Sequence, residues 1–148
     1  MSKQVFTILT IDDDPDCRIA ACRFITMVGG HKVETAATGE IGIRKAIDLR
    51  PDIVLLDMRM PGMDGLDVLD ALGADPATRE IPVILITGGD LTEPELKRLR
   101  NKSNFIGLED KPAGMQKLLE TIEAALLPHG IYRSKAGQSF ATDSASAD

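Results

Sequence analysis

The sequence has no tryptophan, very few other aromatic residues and only two cysteines. Aromatic residues make up 3% of the 148 positions, so a buried core must consist of aliphatic side chains, which the runs of Ile, Leu and Val can supply. Cys17 and Cys22 have neither a CxxC spacing nor a nearby histidine, which argues against a zinc site or a thioredoxin-type motif. We therefore interpret both as reduced cysteines on a helix.

Positive charge and long apolar runs are also scarce. The net charge is −6, whereas nonspecific nucleic-acid binding requires clustered Lys and Arg, so we expect no direct contact with nucleic acid. The basic stretch at residues 97–102 lacks interleaved aromatics and is interpreted as a solvated helix face or a partner surface. No run approaches the roughly 20 apolar residues of a membrane span, and the first residues show no signal- or transit-peptide pattern. These features predict a soluble, cytoplasmic protein without membrane insertion.

Apolar runs alternate with helix-like segments along the chain. This alternation predicts an α/β domain over residues 1–127 with a parallel sheet, because strands connected by helices pair in parallel. From residue 128 the pattern gives way to Gly, Ser, Ala and Thr, so residues 128–148 are predicted to be a disordered tail. The predicted strands are 5–11, 32–36, 53–56, 83–86 and 105–108.

Local sequence signals predict where two helices begin and where the histidines lie. Asp14, followed by a proline, is predicted to cap the first helix. Thr92 and Glu95 are predicted to form a capping box at the start of a later helix. The two histidines, His31 and His129, are predicted to be polar surface residues. The predicted inward face of the first helix carries Ile19, Cys22 and Thr26.

Polar residues stand at the carboxyl ends of four predicted strands. In an open α/β sheet, ligand sites lie outside the carboxyl ends of the strands, so these residues are expected to converge on one site. Three carboxylates, a hydroxyl and an ammonium group suit a divalent cation and a phosphoryl group. The residues are Asp12, Asp13, Asp57, Thr87 and Lys111.

The stretches that carry these residues are Ile8–Asp14, Ile53–Gly65, Ile81–Thr87 and Lys111-Pro112. Their content, order and spacing resemble the receiver domain of bacterial two-component response regulators, in particular its single-domain, chemotaxis-regulator-like members. The resemblance covers essentially all of the part predicted to be ordered. It implies a doubly wound, flavodoxin-like fold with five parallel strands in the order 2-1-3-4-5 and a site between strands 1 and 3.

The resemblance also implies a phosphorylation site. Asp57 would be the phosphoacceptor, and its carboxylate would attack the phosphohistidine of a histidine kinase or phosphotransfer protein. Asp13, Asp57 and the backbone carbonyl of Arg59 would ligate Mg²⁺, with Asp12 acting mainly through bound water. Because crowded carboxylates repel one another, the cation is part of the implied mechanism.

Two further residues complete the implied site. Lys111 would pair with Asp57 and then with a phosphoryl oxygen, and Thr87 would donate its hydroxyl to the same group. In the family this contact moves the threonine and reorganises the surface of the fourth strand, fourth helix and fifth strand, which is a population shift between two existing states. The downstream partner is therefore expected to be a protein that binds this surface.

The chain departs from the family pattern at several positions. Leu108 occupies the switch position where most receivers have an aromatic whose rotamer couples to the threonine, so aromatic gating of that kind is not expected. Glu109 and Asp110 stand where the strand end is usually apolar or small. They either deepen the acidic field around the following lysine or face solvent because the strand stops early, and the solvent interpretation is favoured. Arg59 and Gly89 occupy positions at which the family tunes dephosphorylation.

Two other function classes remain open. One is a binding module with the same fold that phosphate does not switch, which the departures at residues 108–110 motivate. The other is a small phosphatase that uses Asp12 and Asp14 as a DxD motif, although Pro15 and Asp16 follow where such enzymes have Thr or Val. Under the favoured interpretation the chain is not an enzyme for an external substrate, and it catalyses only its own aspartyl phosphorylation and dephosphorylation.

Overall fold

A computed structural model describes residues 4–110, 114–127, 131–133 and 139–141. The predicted strands are present, and the last of them runs two residues beyond its predicted end. The strands are β1 (Thr7–Ile11), β2 (Lys32–Ala36), β3 (Ile53–Asp57), β4 (Val83–Thr87) and β5 (Phe105–Asp110).

The helices between these strands start at residues that supply capping groups. Asp14 caps the first helix by accepting a hydrogen bond from the backbone N–H of Asp16 at 2.9 Å. Thr92 and Glu95 make both reciprocal hydrogen bonds of the predicted capping box. The helices are α1 (Pro15–Met27), α2 (Gly39–Leu49), α3 (Gly65–Ala74), α4 (Glu93–Arg100) and α5 (Met115–Leu126).

The strands form one parallel sheet in the order β2-β1-β3-β4-β5. This is the doubly wound order that the resemblance implied, and the prediction is confirmed. Strand β3 is central, and all five of its residues are buried, as expected for a strand covered on both faces. The carboxyl ends of β1, β3 and β4 therefore lie side by side in the middle of the sheet.

Helices cover both faces of the sheet with aliphatic side chains. On one face α3 contributes Leu66, Leu69 and Leu72, which are fully buried together with residues of α2 and α4. On the other face α5 contributes Leu118 and Ile122, which pack with α1. Burying each such side chain contributes about 1.5–3 kcal/mol, so this aliphatic core can hold the sheet without aromatic residues.

The predicted inward face of α1 is wrong. Ala21 and Ile25 are the buried residues of this helix, whereas Ile19 is 52% exposed and Thr26 is also exposed. Apolar residues occur all around α1, so their spacing did not single out one stripe. The contact with α5 selects the face instead.

The prediction that His31 lies on the surface is also wrong. Its side chain is fully buried beside the start of β1, and Nδ1 accepts a hydrogen bond from the backbone N–H of Phe6 at 3.2 Å. The proton therefore lies on Nε2, which donates to the carboxylate of Glu123 on α5 at 2.7 Å. His31 thus ties α5 to the first strand. His129 lies outside the described residues.

Within residues 128–148 the structure describes two short strands, β6 (Ile131–Arg133) and β7 (Ser139–Ala141), which pair antiparallel. The rest of that stretch lies outside the described residues, and the disordered tail stays a prediction. Among the described residues, every helix is too short or too polar to cross a bilayer.

Replacing His31 with leucine should destabilise the fold by about 2–4 kcal/mol, because the Phe6 N–H and the Glu123 carboxylate both lose a buried partner. Chemical denaturation at pH 7 measures this loss. His31→Gln, which can still accept and donate, should recover part of it. Equal stability of the leucine variant and the unmodified protein would contradict the structural role of His31.

Candidate functional site

The register of the sheet brings the ends of three strands together. Ile11 of β1 pairs with Leu56 of β3, and Asp57 of β3 pairs with Ile86 of β4. Asp12 and Thr87 each follow one of these paired residues, so they end their strands on either side of Asp57. The alignment of parallel strands is thus what places these polar side chains at one edge.

Three carboxylates form a cluster at this edge. One oxygen each of Asp12, Asp13 and Asp57 lies within 4.8 Å of the others. Asp12 and Asp57 are buried, with exposures of 9% and 3%, whereas Asp13 is exposed. Oxygen donors of this kind and charge suit Mg²⁺, which binds through one or two carboxylates and keeps several waters. The donor set therefore fits a hard divalent cation.

Backbone contacts hold Asp12 in place. One of its carboxylate oxygens accepts a hydrogen bond from the N–H of Asp14 at 2.9 Å, and its carbonyl oxygen accepts one from the Arg18 guanidinium at 2.8 Å. The side chain of Asp14 is occupied by capping α1. Within the acidic run, Asp14 therefore caps α1, whereas Asp12 belongs to the carboxylate cluster.

Asp57 is held by the turn that follows β3. Its Oδ1 accepts a hydrogen bond from the N–H of Arg59 at 3.3 Å. Gly65, the first residue of α3, lies so close to the end of β3 that a Cβ there would be 2.7 Å from the Asp57 carbonyl oxygen and 2.8 Å from the Met58 Cα. Only glycine allows this approach without a backbone shift, so Gly65 fixes how α3 meets the site.

The hydroxyl of Thr87 is engaged with its own loop. It donates to the carbonyl oxygen of Gly89 at 2.9 Å and accepts from the Gly89 N–H at 3.2 Å. Thr87 is buried, while Leu108 is half-buried and packs against the aliphatic cluster on the α3 side of the sheet. The Thr87 hydroxyl could donate to another acceptor only by giving up its bond to Gly89.

The favoured interpretation of Glu109 is wrong. Strand β5 continues through Asp110, and Glu109 is 3% exposed, accepts a hydrogen bond from the Thr121 hydroxyl at 3.2 Å and lies 3.9 Å from the Lys117 ammonium. These α5 partners let the strand carry a buried carboxylate. Asp110 is exposed and pairs with Thr87 in the sheet. Lys111 lies outside the described residues.

The side chain of Arg59 makes a contact that the sequence did not reveal. Its guanidinium donates to both carboxylate oxygens of Glu95, at 2.6 and 3.1 Å, and to the carbonyl oxygen of Asp90 at 3.3 Å. This bidentate ion pair links the loop after β3 to the first turn of α4. The sequence showed the capping role of Glu95, but nothing in the spacing of positions 59 and 95 indicates that they meet.

The ion pair shifts the pKa of both groups. The hydrogen bond from Arg59 and the capping hydrogen bond from Thr92 lower the pKa of Glu95 to about 2. The hydrogen bond with Glu95 raises the pKa of Arg59, outweighing the effect of burial, and the charges of Asp64 and Asp57 add to the rise. Arg59 is therefore a cation whose charge acts on the acidic cluster as well as on α4.

Comparisons with known proteins agree with this architecture. A model of the response regulator receiver domain matches residues 8–123. Protein PilH of Pseudomonas aeruginosa is 34% identical over 120 residues, which is 80% of this chain and 96% of PilH. The positive alginate biosynthesis regulatory protein of the same species is 34% identical over 128 residues, or 84% of this chain, but the chain spans only 48% of that protein.

Solved structures show the same fold. The chemotaxis protein CheY4 of Vibrio cholerae superposes with a TM-score of 0.74 at 24% identity, covering 84% of this chain and 100% of CheY4. The N-terminal domain of a response regulator receiver protein from Methanoculleus marisnigri gives a TM-score of 0.64 at 37% identity, covering 83% and 98% of the two chains.

Mg²⁺ should stabilise the protein against heat. At ten times the dissociation constant, linkage gives about 1.4 kcal/mol, or a rise of about 3–6 °C in Tm. Asp13→Asn should reduce this rise to less than half, because it removes one ligand, and should raise the Tm without the cation, because it relieves repulsion. Scanning calorimetry with and without Mg²⁺ measures both.

The matched control for this experiment is Asp16→Asn, which removes the same charge from the same acidic run and should keep the full response. An unmodified protein that does not respond to Mg²⁺ would contradict the cation site. So would equal responses of the Asp13 and Asp16 variants.

The stabilising effect of the Arg59–Glu95 pair should depend on pH in the acid range. The hydrogen bond from Arg59 lowers the pKa of Glu95 to about 2 in the fold from its ordinary value of 4.5. The unfolded chain therefore binds more protons between these two values, and stability rises with pH across this window. Glu95→Gln should cost about 0.2–1 kcal/mol at pH 7, a difference that shrinks below pH 4.5. Urea unfolding at pH 7, 4 and 3 tests this, and a constant difference would contradict it.

Proposed function

The chain belongs to the response regulator receiver domain family, and from this premise we propose that it accepts a phosphoryl group on Asp57 and thereby switches a protein-binding surface. The observation that carries the proposal is the placement of Asp57. It is a buried carboxylate at the end of the central strand, within 4.8 Å of two further carboxylates and beside the end of β4.

The proposed reaction is a phosphoryl transfer from a phosphohistidine of a histidine kinase or phosphotransfer protein. A carboxylate oxygen of Asp57 forms a bond to phosphorus while the bond from phosphorus to the imidazole nitrogen breaks, and the imidazole leaves with the bonding electron pair and takes up a proton. A carboxylate is a weak nucleophile, so positioning and charge compensation must supply the rate. The fixed strand end and the hydrogen bond from the Arg59 N–H supply the positioning.

Mg²⁺ is the proposed cofactor. Asp13, Asp57 and the backbone carbonyl of Arg59 would hold it, with Asp12 acting through water. When bound, the ion supplies positive charge that offsets the carboxylates and the phosphoryl oxygens. The carboxylates of this chain would hold the ion at the edge of the sheet, where Asp13 is exposed to solvent.

Two other side chains would respond to the phosphoryl group. Thr87 would turn its hydroxyl from the Gly89 carbonyl to a phosphoryl oxygen, since the two acceptors compete for one donor. Lys111 would contribute an ammonium group, as the family resemblance implies. The resulting change would bias the β4, α4 and β5 surface between two arrangements and so select a downstream protein partner.

This proposal makes the chain a cytoplasmic signalling protein and not an enzyme for an external substrate. The chemistry that it catalyses is its own phosphorylation and dephosphorylation.

Incubation with a small acyl phosphate and Mg²⁺ should add the mass of one phosphoryl group to the intact protein. Asp57→Asn should abolish the gain, and chelation of Mg²⁺ should do the same. The matched control Asp48→Asn, an exposed aspartate on α2, should be labelled normally. Absence of labelling in the folded, unmodified protein, from the acyl phosphate and from a histidine kinase, would instead favour a binding module that phosphate does not switch.

A further inference from the structure

The Arg59–Glu95 ion pair connects the loop after β3 with the first turn of α4. Arg59 belongs to the loop that follows the proposed phosphoacceptor, and its own N–H donates to Asp57. Glu95 belongs to the first turn of α4, and the carbonyl of Asp90 in the loop before that helix accepts a third hydrogen bond from the same guanidinium. One cation therefore connects the proposed phosphorylation site to α4.

We propose that Glu95 is a positioning residue that holds the Arg59 guanidinium at the rim of the site, and that a phosphoryl group on Asp57 competes with Glu95 for that guanidinium. The inference rests on the proposed phosphorylation of Asp57. It assigns to Arg59 a side-chain role in binding the phosphoryl group, and to Glu95 the role of the anion that is displaced.

The charges favour such an exchange. A phosphoryl group on a side chain carries about −1.5 to −2 charges at pH 7 and three strong acceptor oxygens, whereas Glu95 carries one charge and two acceptors. Guanidinium binds phosphate oxygens in the same bidentate geometry that it uses for carboxylates. The Arg59 side chain is 51% exposed, so it can move towards Asp57 without disturbing the core.

The exchange would release a specific part of the fold. After Arg59 leaves, Glu95 still accepts the N–H of Thr92, so α4 keeps its cap. What is lost is the link from the loop after β3 to Asp90 and to the first turn of α4. The phosphoryl group would thus alter α4 by detaching it, independently of an aromatic residue at position 108.

The test uses beryllofluoride with Mg²⁺ at pH 7 as a probe that mimics the phosphoryl group on Asp57. Glu95→Gln keeps the capping geometry and removes the competing charge, so the probe should bind about two- to fivefold more tightly, the range of a solvent-exposed ion pair. Arg59→Met should bind it more weakly than the unmodified protein. In the Arg59→Met background, Glu95→Gln should have no further effect, because the residue for which the anions compete is gone.

Glu93→Gln is the matched control, since Glu93 is an exposed glutamate in the same first turn of α4. It should leave the affinity for the probe unchanged. Hydrogen exchange provides a readout independent of affinity: amides at residues 90–96 should exchange faster when the unmodified protein binds the probe, and already without it in Glu95→Gln.

The outcomes separate this inference from the proposed function. If the unmodified protein binds the probe through Asp57 but Glu95→Gln behaves like Glu93→Gln, the competition is overturned and the phosphorylation proposal stands. If Glu95→Gln tightens binding equally with and without Arg59, a general charge effect replaces the competition and the inference is overturned. If the unmodified protein neither binds the probe nor accepts a phosphoryl group, both proposals fail together.

Discussion

The repulsion among three carboxylates at one edge of the sheet is the constraint on which the rest of the site depends. Asp12, Asp13 and Asp57 converge because parallel strands end together, and like charges this close repel one another. The fold tolerates this repulsion because its stability comes from the aliphatic layers on both faces of the sheet. Backbone donors hold the buried aspartates in place but carry no full charge. A cation and a nearby guanidinium would complement the charge of such a cluster, and under the proposed function they would also offset the charge of a phosphoryl group.

Two routes lead from this cluster to the surface of β4 and α4. Thr87 offers the first, since its hydroxyl bonds to Gly89 in the loop that leads to α4. Leu108, packed against aliphatic neighbours, provides no polar group that could follow the threonine. Arg59 offers the second route, because its side chain already spans the gap to Glu95. A chain that lacks the aromatic residue usual in its family thus still has a direct electrostatic connection from the site to α4.

The sequence predicted the architecture well because repeated, local signals specify it. Apolar runs and caps located the strands and helices, and the family motifs supplied the strand order. The predictions failed where the burial or the contacts of a residue depend on a partner that is distant in the sequence. His31 is buried because Glu123 and the start of β1 satisfy both of its nitrogens, and Glu109 is buried because α5 offers a hydroxyl. The contact between Arg59 and Glu95 was not predicted for the same reason, because the two residues lie 36 positions apart. Spacing along a chain does not encode such pairings.

Helix α4 is held largely by ion pairs, so its position depends more on nearby charges than the position of α3 does. Helix α3 is anchored by buried leucines, whose contribution does not depend on charge. In α4 only Leu99 is buried, and ion pairs link the two ends of the helix to the rest of the fold: Glu95 with Arg59 at the start, and Arg98 with Asp70 of α3 near the end. Solvent-exposed pairs of this kind contribute about 0.2–1 kcal/mol each. Under the proposed phosphorylation of Asp57, the new negative charge beside Arg59 would compete with an interaction of about that size. Helix α4 could then respond while α3 and the sheet remain in place.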